Sequence, residues 1–112
     1  MMIETIADNS ITSELLHNYF GRLVNRFFKI LPMRENQEAS LCTYMQSLQA
    51  ELLGCKGFIP AMSKDSDFLT MLSILQYLIE NPKCNISDVK REVFRAISIC
   101  NRLQSRFIEE VL

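Results

Sequence analysis

The chain has 112 residues, of which 48% are hydrophobic and 22% charged, and its net charge is −1. This mixture predicts one folded domain with its own core, and it argues against a disordered chain and against a strongly basic or acidic protein. No apolar run approaches the roughly 20 residues of a membrane-spanning helix, and the N-terminal stretch lacks a secretory signal pattern. We therefore expect a soluble protein of the cytoplasm.

Four cysteines are spread along the chain at positions 42, 55, 84 and 100. Zinc sites need closely spaced pairs of ligands, and these cysteines form no CxxC pair. Disulfide frameworks are typical of secreted proteins, and the absent signal pattern argues against secretion. We expect four reduced cysteines, and the sequence indicates no metal site and no cofactor.

Glycine and proline are scarce, and they divide the chain into helical segments. No stretch alternates apolar and polar residues as a strand would. The sequence thus predicts an all-α fold, a small four-helix up-down bundle without a sheet, as a single domain. The predicted helices span about 12–31, 37–53, 66–81 and 87–110, with Pro32 ending the first and Gly54 capping the second. Residues 1–11 are expected to form a loose arm or a half-turn, and 54–65 a long connection.

The most distinctive stretch is 68–79, FLTMLSILQYLI, which contains no charged residue. A helix that is apolar nearly all round is buried on most sides, so this segment is expected to be the central helix. Its least apolar side carries Leu69, Thr70, Ser73, Gln76 and Tyr77. Small polar residues and a tyrosine on such a helix suit a homodimer seam or a docking surface, unless the rest of the chain covers them.

These features predict a small non-enzymatic interaction protein, such as an adaptor, an accessory subunit or an inhibitor. It is expected to self-associate or to bind another protein through the five residues just named. No phosphate-binding loop and no hydrolase or metalloprotease motif occurs in the sequence, and no small-molecule substrate is inferred. The single histidine, His17, lies at the border of the apolar side of the first helix, where a packed or half-exposed structural role is the commoner one.

Charge is unevenly distributed among the helical segments. Residues 12–34 carry a balance of +3 and residues 35–53 a balance of −3, which favours antiparallel packing of the first two helices or a contact between subunits. The last segment carries a stripe of four arginines, Arg91, Arg95, Arg102 and Arg106. Such a stripe is commonly a solvated helix face, and the alternative is a surface that binds phosphate groups.

The segment LSILQYLIENPKCNISDVKREVFRAISICNRLQSRF resembles the winged-helix DNA-binding domains. In those domains an ILxYLxxNP helix is followed by an ISDVKRE-like helix and then by a recognition helix. The resemblance implies an alternative function, a helical nucleic-acid-binding protein with a helix-turn-helix in its C-terminal half that uses the arginine stripe. Such motifs need a turn between the second and third helices. Residues 93–96 are compatible with an unbroken helix, so we predict a single last helix over 87–110.

Overall fold

The computed structural model of the protein describes the backbone of residues 2–58 and 60–111, and the side chains of residues 14–57 and 62–106. All regular secondary structure over this backbone is helical, with no strand, which confirms the predicted all-α class. The helices, in chain order, are α1 (Met2–Phe28), α2 (Ile30–Glu35), α3 (Leu41–Phe58), α4 (Pro60–Ser63), α5 (Ser66–Glu80) and α6 (Ile86–Val111). Four of these helices are long, and α2 and α4 are short.

The first two long helices, α1 and α3, are antiparallel. Tyr19 Oη donates to a carboxylate oxygen of Glu51 at 2.5 Å, and Tyr44 Oη donates to the carbonyl oxygen of Arg26 at 2.8 Å. From the first contact to the second, the position advances along α1 from Tyr19 to Arg26 and goes back along α3 from Glu51 to Tyr44, as it does between antiparallel helices. The Arg26 guanidinium also contacts Glu51 at 2.6 Å. The opposite charges predicted for the first two long helices therefore form an ion pair within one chain.

The last helix, α6, is antiparallel to α1. His17 Nδ1 lies 2.8 Å from the carbonyl oxygen of Gln104, and further along the two helices the rings of Phe28 and Phe94 meet edge-to-face with centroids 5.6 Å apart. The Gln104 side chain lies directly over Gly21, where an added Cβ would come within 2.6 Å of its amide nitrogen. A larger residue at position 21 would therefore require the flexible end of the Gln104 side chain to move.

α5 and α6 are also antiparallel, and their packing completes the bundle. Arg102 Nη2 lies 3.0 Å from Asp67, and Cys100 Sγ lies 3.6 Å from Met71 Sδ. Since α1 and α5 both run opposite to α6, and α3 runs opposite to α1, the four long helices alternate in direction. The fold is the predicted up-down bundle, with α3 and α6 each lying beside both α1 and α5.

α5 forms the centre of the bundle, as its uncharged sequence predicts. It packs between α3 and α6, and the Phe68 ring contacts Phe20 of α1 edge-to-face, with ring centroids 6.4 Å apart. The buried residues of α5 are Phe68, Met71, Leu72, Ile74, Leu75 and Leu78. Because burying a side chain of this size contributes roughly 1.5–3 kcal/mol, this helix supplies a large share of the core.

α6 is one continuous helix, as predicted. Its buried apolar residues are Val89, Val93, Ala96, Ile97, Ile99, Cys100 and Leu103. The residues that a helix-turn-helix would divide between its second and third helices lie in this one helix. The arrangement implied by the winged-helix resemblance is therefore absent from the described part of the chain.

The first helix differs from its predicted bounds at both ends. It begins at Met2, so the predicted start near Thr12 is wrong, and residues 2–11 belong to the helix rather than to a loose arm. No glycine or proline precedes Gly21, and a residue that can cap a helix does not by itself interrupt one. At the other end α1 stops at Phe28, and α2 then runs through Pro32 instead of ending before it.

The break between α1 and α2 lies before Pro32 because of the chemistry of proline. Pro32 has no N–H to donate to the carbonyl oxygen of Phe28, and its ring crowds that carbonyl. Lys29 is consequently a turn between the two helices, and Met33 N–H donates to the Lys29 carbonyl oxygen at 3.3 Å in the first turn of α2. Proline is accepted there because its missing N–H is not needed in a first turn.

α2 ends in a Schellman motif whose left-handed residue is Gln37, with a φ of 54°. Glu38 N–H donates to the carbonyl oxygen of Met33 at 3.0 Å, and Gln37 N–H donates to that of Arg34 at 3.1 Å. These two bonds define the motif, which glycine or asparagine usually closes. Glutamine in that place explains why no residue type in the sequence marks this helix end.

α3 continues through Gly54 to Phe58, so the predicted end at residue 53 is wrong. A cap at Gly54 would need the left-handed conformation, and none of the glycines has a positive φ. The helix continues because its apolar positions continue: Leu52 is fully buried and Cys55 is partly buried against the core. The long connection predicted over 54–65 is accordingly shorter, and it contains α4.

We predict that Gly54→Ala stabilises the fold by about 0.5–1 kcal/mol, because alanine favours a helical backbone and nothing lies within 4 Å of the new methyl group. Urea unfolding followed by circular dichroism measures the change. Gly21→Ala is the matched control: its methyl group meets the Gln104 amide, so its gain should be smaller. A larger gain at residue 21 would contradict the position of the Gln104 amide over that residue.

Candidate functional site on the outer side of the central helix

The predicted contact residues share the side of α5 that the other helices leave open. Ser73 and Gln76 are exposed, whereas Leu69, Thr70 and Tyr77 are half-buried. The partly buried members lie towards the neighbouring helices, and Ser73 lies in the middle of the open strip. The structure therefore brings all five predicted residues onto one surface, and the packing of this chain covers that surface only in part.

Towards α3, this surface is closed by a chain of amide hydrogen bonds. Gln49 Nε2 of α3 donates to Gln76 Oε1 at 2.7 Å, and Gln76 Nε2 donates to a carboxylate oxygen of Glu80 at 2.7 Å. Both ends of the Gln76 amide are thus occupied within the chain. Gln76 borders the surface in a fixed orientation, and Ser73 has the more open position.

Towards α6, the surface descends into a groove lined by members of both sets of residues singled out from the sequence, the α5 contacts and the arginine stripe. A depression of about 230 Å³ lies between Thr70, Ser73 and Tyr77 of α5 and Arg91 and Arg95 of α6. A second depression of about 490 Å³ shares Thr70 and both arginines with the first and extends along α6. The further residues that line it include Phe94, Ser98 and Arg102. Three of the five proposed protein contacts and three of the four arginines of the stripe therefore line one continuous surface.

Glu92 is the buried charge beneath this groove, with only 7% of its surface exposed. It accepts from Arg95 Nη1 at 2.6 Å and from Arg91 Nε at 3.1 Å. Arg91 also lies 2.9 Å from Asp88. A buried carboxylate needs such partners, because an unpaired one carries a large desolvation penalty. The first two arginines of the stripe therefore neutralise Glu92 and are held along the wall of the groove.

The other two arginines lock the end of α6 onto the start of α5. Asp65 caps α5 by accepting the Phe68 N–H at 2.9 Å, and its carboxylate also accepts from Arg106. Asp67 accepts from Arg102 and Arg106 at 3.0 and 3.1 Å. The Arg102 hydrogen bond lowers the pKa of Asp67, and Arg106 adds to this effect. The sequence does not indicate these pairings, since their partners are 35 to 41 residues apart.

Every arginine of the stripe is therefore paired with a carboxylate of the same chain. The carboxylates involved are Asp65, Asp67, Asp88 and Glu92. A nucleic acid gains affinity by bringing phosphates to free cations and releasing counterions. On this surface phosphates would have to displace carboxylates already in place, so the pairing weakens the nucleic-acid alternative, which stays a prediction.

A second polar cluster joins α1 to α3 on the far side of the bundle. The Arg26 guanidinium binds both carboxylate oxygens of Glu51, at 2.6 and 3.0 Å, and this hydrogen bonding lowers the pKa of Glu51. Burial raises the pKa of Tyr19, and its hydrogen bond to Glu51 raises it further. A tyrosine that keeps its proton acts here as a hydrogen-bond donor between the helices. Together with His17, whose ring bonds to α6, these side chains hold helices together.

The described residues contain no group of three or more histidine, cysteine, aspartate and glutamate side chains placed to hold a metal ion. All four cysteines are free: Cys42 is exposed, Cys55 and Cys84 are half-buried, and Cys100 is buried. Burial raises the pKa of the Cys100 thiol to about 12. Among the helices described, none is long and apolar enough to cross a membrane.

Comparison with known proteins adds no family to this description. No protein-family model matches the chain, and no match is found among curated proteins or among solved structures.

Replacing Asp65 tests the cap and the ion pair separately. Asp65→Ala removes the acceptor for the Phe68 N–H and should destabilise the fold by about 1 kcal/mol or more. Asp65→Asn keeps an amide oxygen that can cap the helix and loses only the charge, so its loss in the free energy of unfolding should be smaller. Equal losses in thermal or urea unfolding would show that the ion pair, rather than the cap, matters.

The lowered pKa of Asp67 predicts a pH dependence of stability. A carboxylate whose folded-state pKa is lowered stabilises the fold above its unfolded pKa of about 3.9 and loses that contribution as the pH falls through the folded pKa. Asp67→Asn should therefore be less stable than the wild type at neutral pH, and the difference should vanish in acid. In an Arg102→Gln background the same substitution should matter less. A difference independent of pH would contradict the ion pair.

Proposed function

We propose that this protein is a small non-enzymatic interaction module that self-associates through the outer side of α5. The observation that carries the proposal is an open helix face without charge between Asp67 and Glu80, with Ser73 at its centre. Surface helices normally carry charged residues on their solvent side, so an uncharged one is suited to contact with another macromolecule. Association of this kind would place the protein among adaptors, accessory subunits or inhibitors.

A second copy of the same face fits this surface in an antiparallel arrangement. If two α5 helices cross at Ser73, the small serine side chains of the two copies meet at the centre and permit a close approach of the two helices. Helical spacing then brings Tyr77 of one copy opposite Leu69 of the other, and Gln76 opposite Thr70. Each pair occurs twice, once on either side of the symmetry axis. The contact would thus combine an apolar pair and a polar pair, with small residues between them.

The edge of this arrangement is polar. Glu80 has no ion pair within the described part of its own chain, and its carboxylate is bonded only to the Gln76 amide. The antiparallel crossing brings Glu80 near the start of α5 in the second copy, where Arg102 and Arg106 are bound to Asp65 and Asp67, so Glu80 meets a polar edge whose charges are already paired. A polar rim around a less polar centre is the usual anatomy of a protein interface.

The cytoplasm is the compartment proposed for this interaction. All four thiols are free, including the exposed Cys42, which is compatible with a reducing environment. Association through α5 needs none of these cysteines, because none lies on the outer side of that helix. Reducing agent should therefore leave the assembly intact.

We predict that the wild-type chain has a mass near twice 13.0 kDa in light scattering behind a sizing column. Ser73→Glu should return it to a monomer with an unchanged circular dichroism spectrum, because the symmetric contact would bring two carboxylates together.

Ser47→Glu is the matched control, because Ser47 is also exposed but lies on α3 away from Gln49, which faces α5. Its mass should stay that of the wild type. A wild-type monomer at all concentrations would remove self-association, and the same substitutions would then test binding of a different protein at this face.

A further inference from the structure

An open cleft of about 440 Å³ lies at the end of the bundle where α2 meets α3 and α5 meets α6. It is distinct from the outer side of α5, because its walls come from the α2–α3 loop and from the link between α5 and α6. Its volume is within the range of roughly 300–1,000 Å³ typical of small-molecule sites. No pattern in the sequence indicates it, since its lining combines two stretches, 30–45 and 78–89, that are distant from each other in the chain.

The floor of the cleft is aliphatic. Ile30, Met45, Leu78 and Val89 are each less than 7% exposed and belong to the core beneath it. Leu41 and Ile79 line it further out. No aromatic side chain is among the described residues that line the cleft. A nucleobase or another flat aromatic ligand would lack a stacking partner there, whereas a flexible hydrocarbon chain would find a matching surface.

One wall of the cleft carries a positioned cation. The Arg34 guanidinium is half-buried, and its Nη2 donates to the carbonyl oxygen of Cys84 across the cleft end. Its other N–H groups have no partner in the described part of the chain, and Lys83 adds a second positive charge. Glu38 is the carboxylate among the lining residues, so the lining carries a net positive charge. The Schellman motif at Gln37 fixes the conformation of the α2–α3 loop, which follows Arg34 in this wall.

We propose that this cleft binds a small aliphatic carboxylic acid of the medium-chain fatty acid type. The hydrocarbon chain would lie on the floor formed by Ile30, Leu78 and Val89. The carboxylate would accept two N–H groups from Arg34, whose planar fork matches its two oxygens. Lys83 at the rim favours an anionic ligand over a neutral one.

Two cysteines provide a direct test, because Cys42 and Cys84 both line the cleft. Sodium decanoate should slow the alkylation of both thiols by iodoacetamide, measured by mass spectrometry of the intact chain and its peptides. Cys55, near the other end of α3, serves as the internal control and should react at an unchanged rate. The buried Cys100 should stay unreactive throughout. The absence of protection, or equal protection of Cys55, would overturn the proposal.

The chemistry of the ligand is tested by calorimetry with related compounds. Affinity should rise roughly fourfold for each CH₂ added from hexanoate to decanoate, as burial of the chain predicts. Decanol, which has the same chain and no charge, should bind about tenfold or more weakly, as expected for the loss of a charge-assisted hydrogen bond. Equal binding of decanol and decanoate would overturn the assignment of an acid.

Arg34→Gln should lower the affinity for decanoate about tenfold or more and leave that for decanol unchanged. Lys64→Gln is the control with the same change in charge at the opposite end of α5. If Arg34→Gln does not fold, the comparison of decanoate with decanol in the wild type still decides the proposal. The result is also independent of self-association, because thiol protection reports on the cleft and light scattering on the outer side of α5.

Discussion

Because α5 carries no charge between Asp67 and Glu80, most of its surface has to be removed from water for the fold to be stable. Two antiparallel neighbours and one diagonal contact satisfy this requirement: α3 and α6 lie on either side, and Phe68 reaches Phe20 of α1 through the core. The alternating direction of the four long helices then follows, since each neighbour connects to α5 through a short link. The open strip around Ser73 is the part of α5 that this arrangement leaves uncovered.

The charged residues are arranged around that apolar centre and pair with one another across helices. Arg26 of α1 meets Glu51 of α3, and Arg102 of α6 meets Asp67 at the start of α5. Exposed pairs of this kind contribute little stability individually. Their main consequence concerns phosphate binding, because a guanidinium that already binds a carboxylate is a poorer partner for a phosphate group. The surface between α5 and α6 is consequently nearly neutral, although its sequence contains a stripe of arginines.

The parts of the fold that could be predicted are those with a long, regular apolar pattern. The burial of α5 and the single helix α6 follow from such patterns, as does the all-α class. Helix ends are harder to predict from the sequence. Pro32 affects the helix at the residue four positions before it, and Gln37 takes a left-handed conformation that its residue type does not indicate. The pairing of Asp65 with Arg106 and the cleft beside Arg34 could not be predicted, since each joins residues distant in sequence through packing alone.

The cleft and the outer side of α5 are separate surfaces, but they share one helix. Leu78 and Ile79 contribute to the cleft from the last turn of α5, and Tyr77 and Gln76 in the same turn point towards the proposed interface. A ligand that fills the cleft would hold this turn against Val89 at the start of α6. One turn of α5 therefore serves two surfaces through different residues, with Leu78 and Ile79 in the cleft and Gln76 and Tyr77 on the outer side, so that a ligand in the cleft leaves the outer side uncovered.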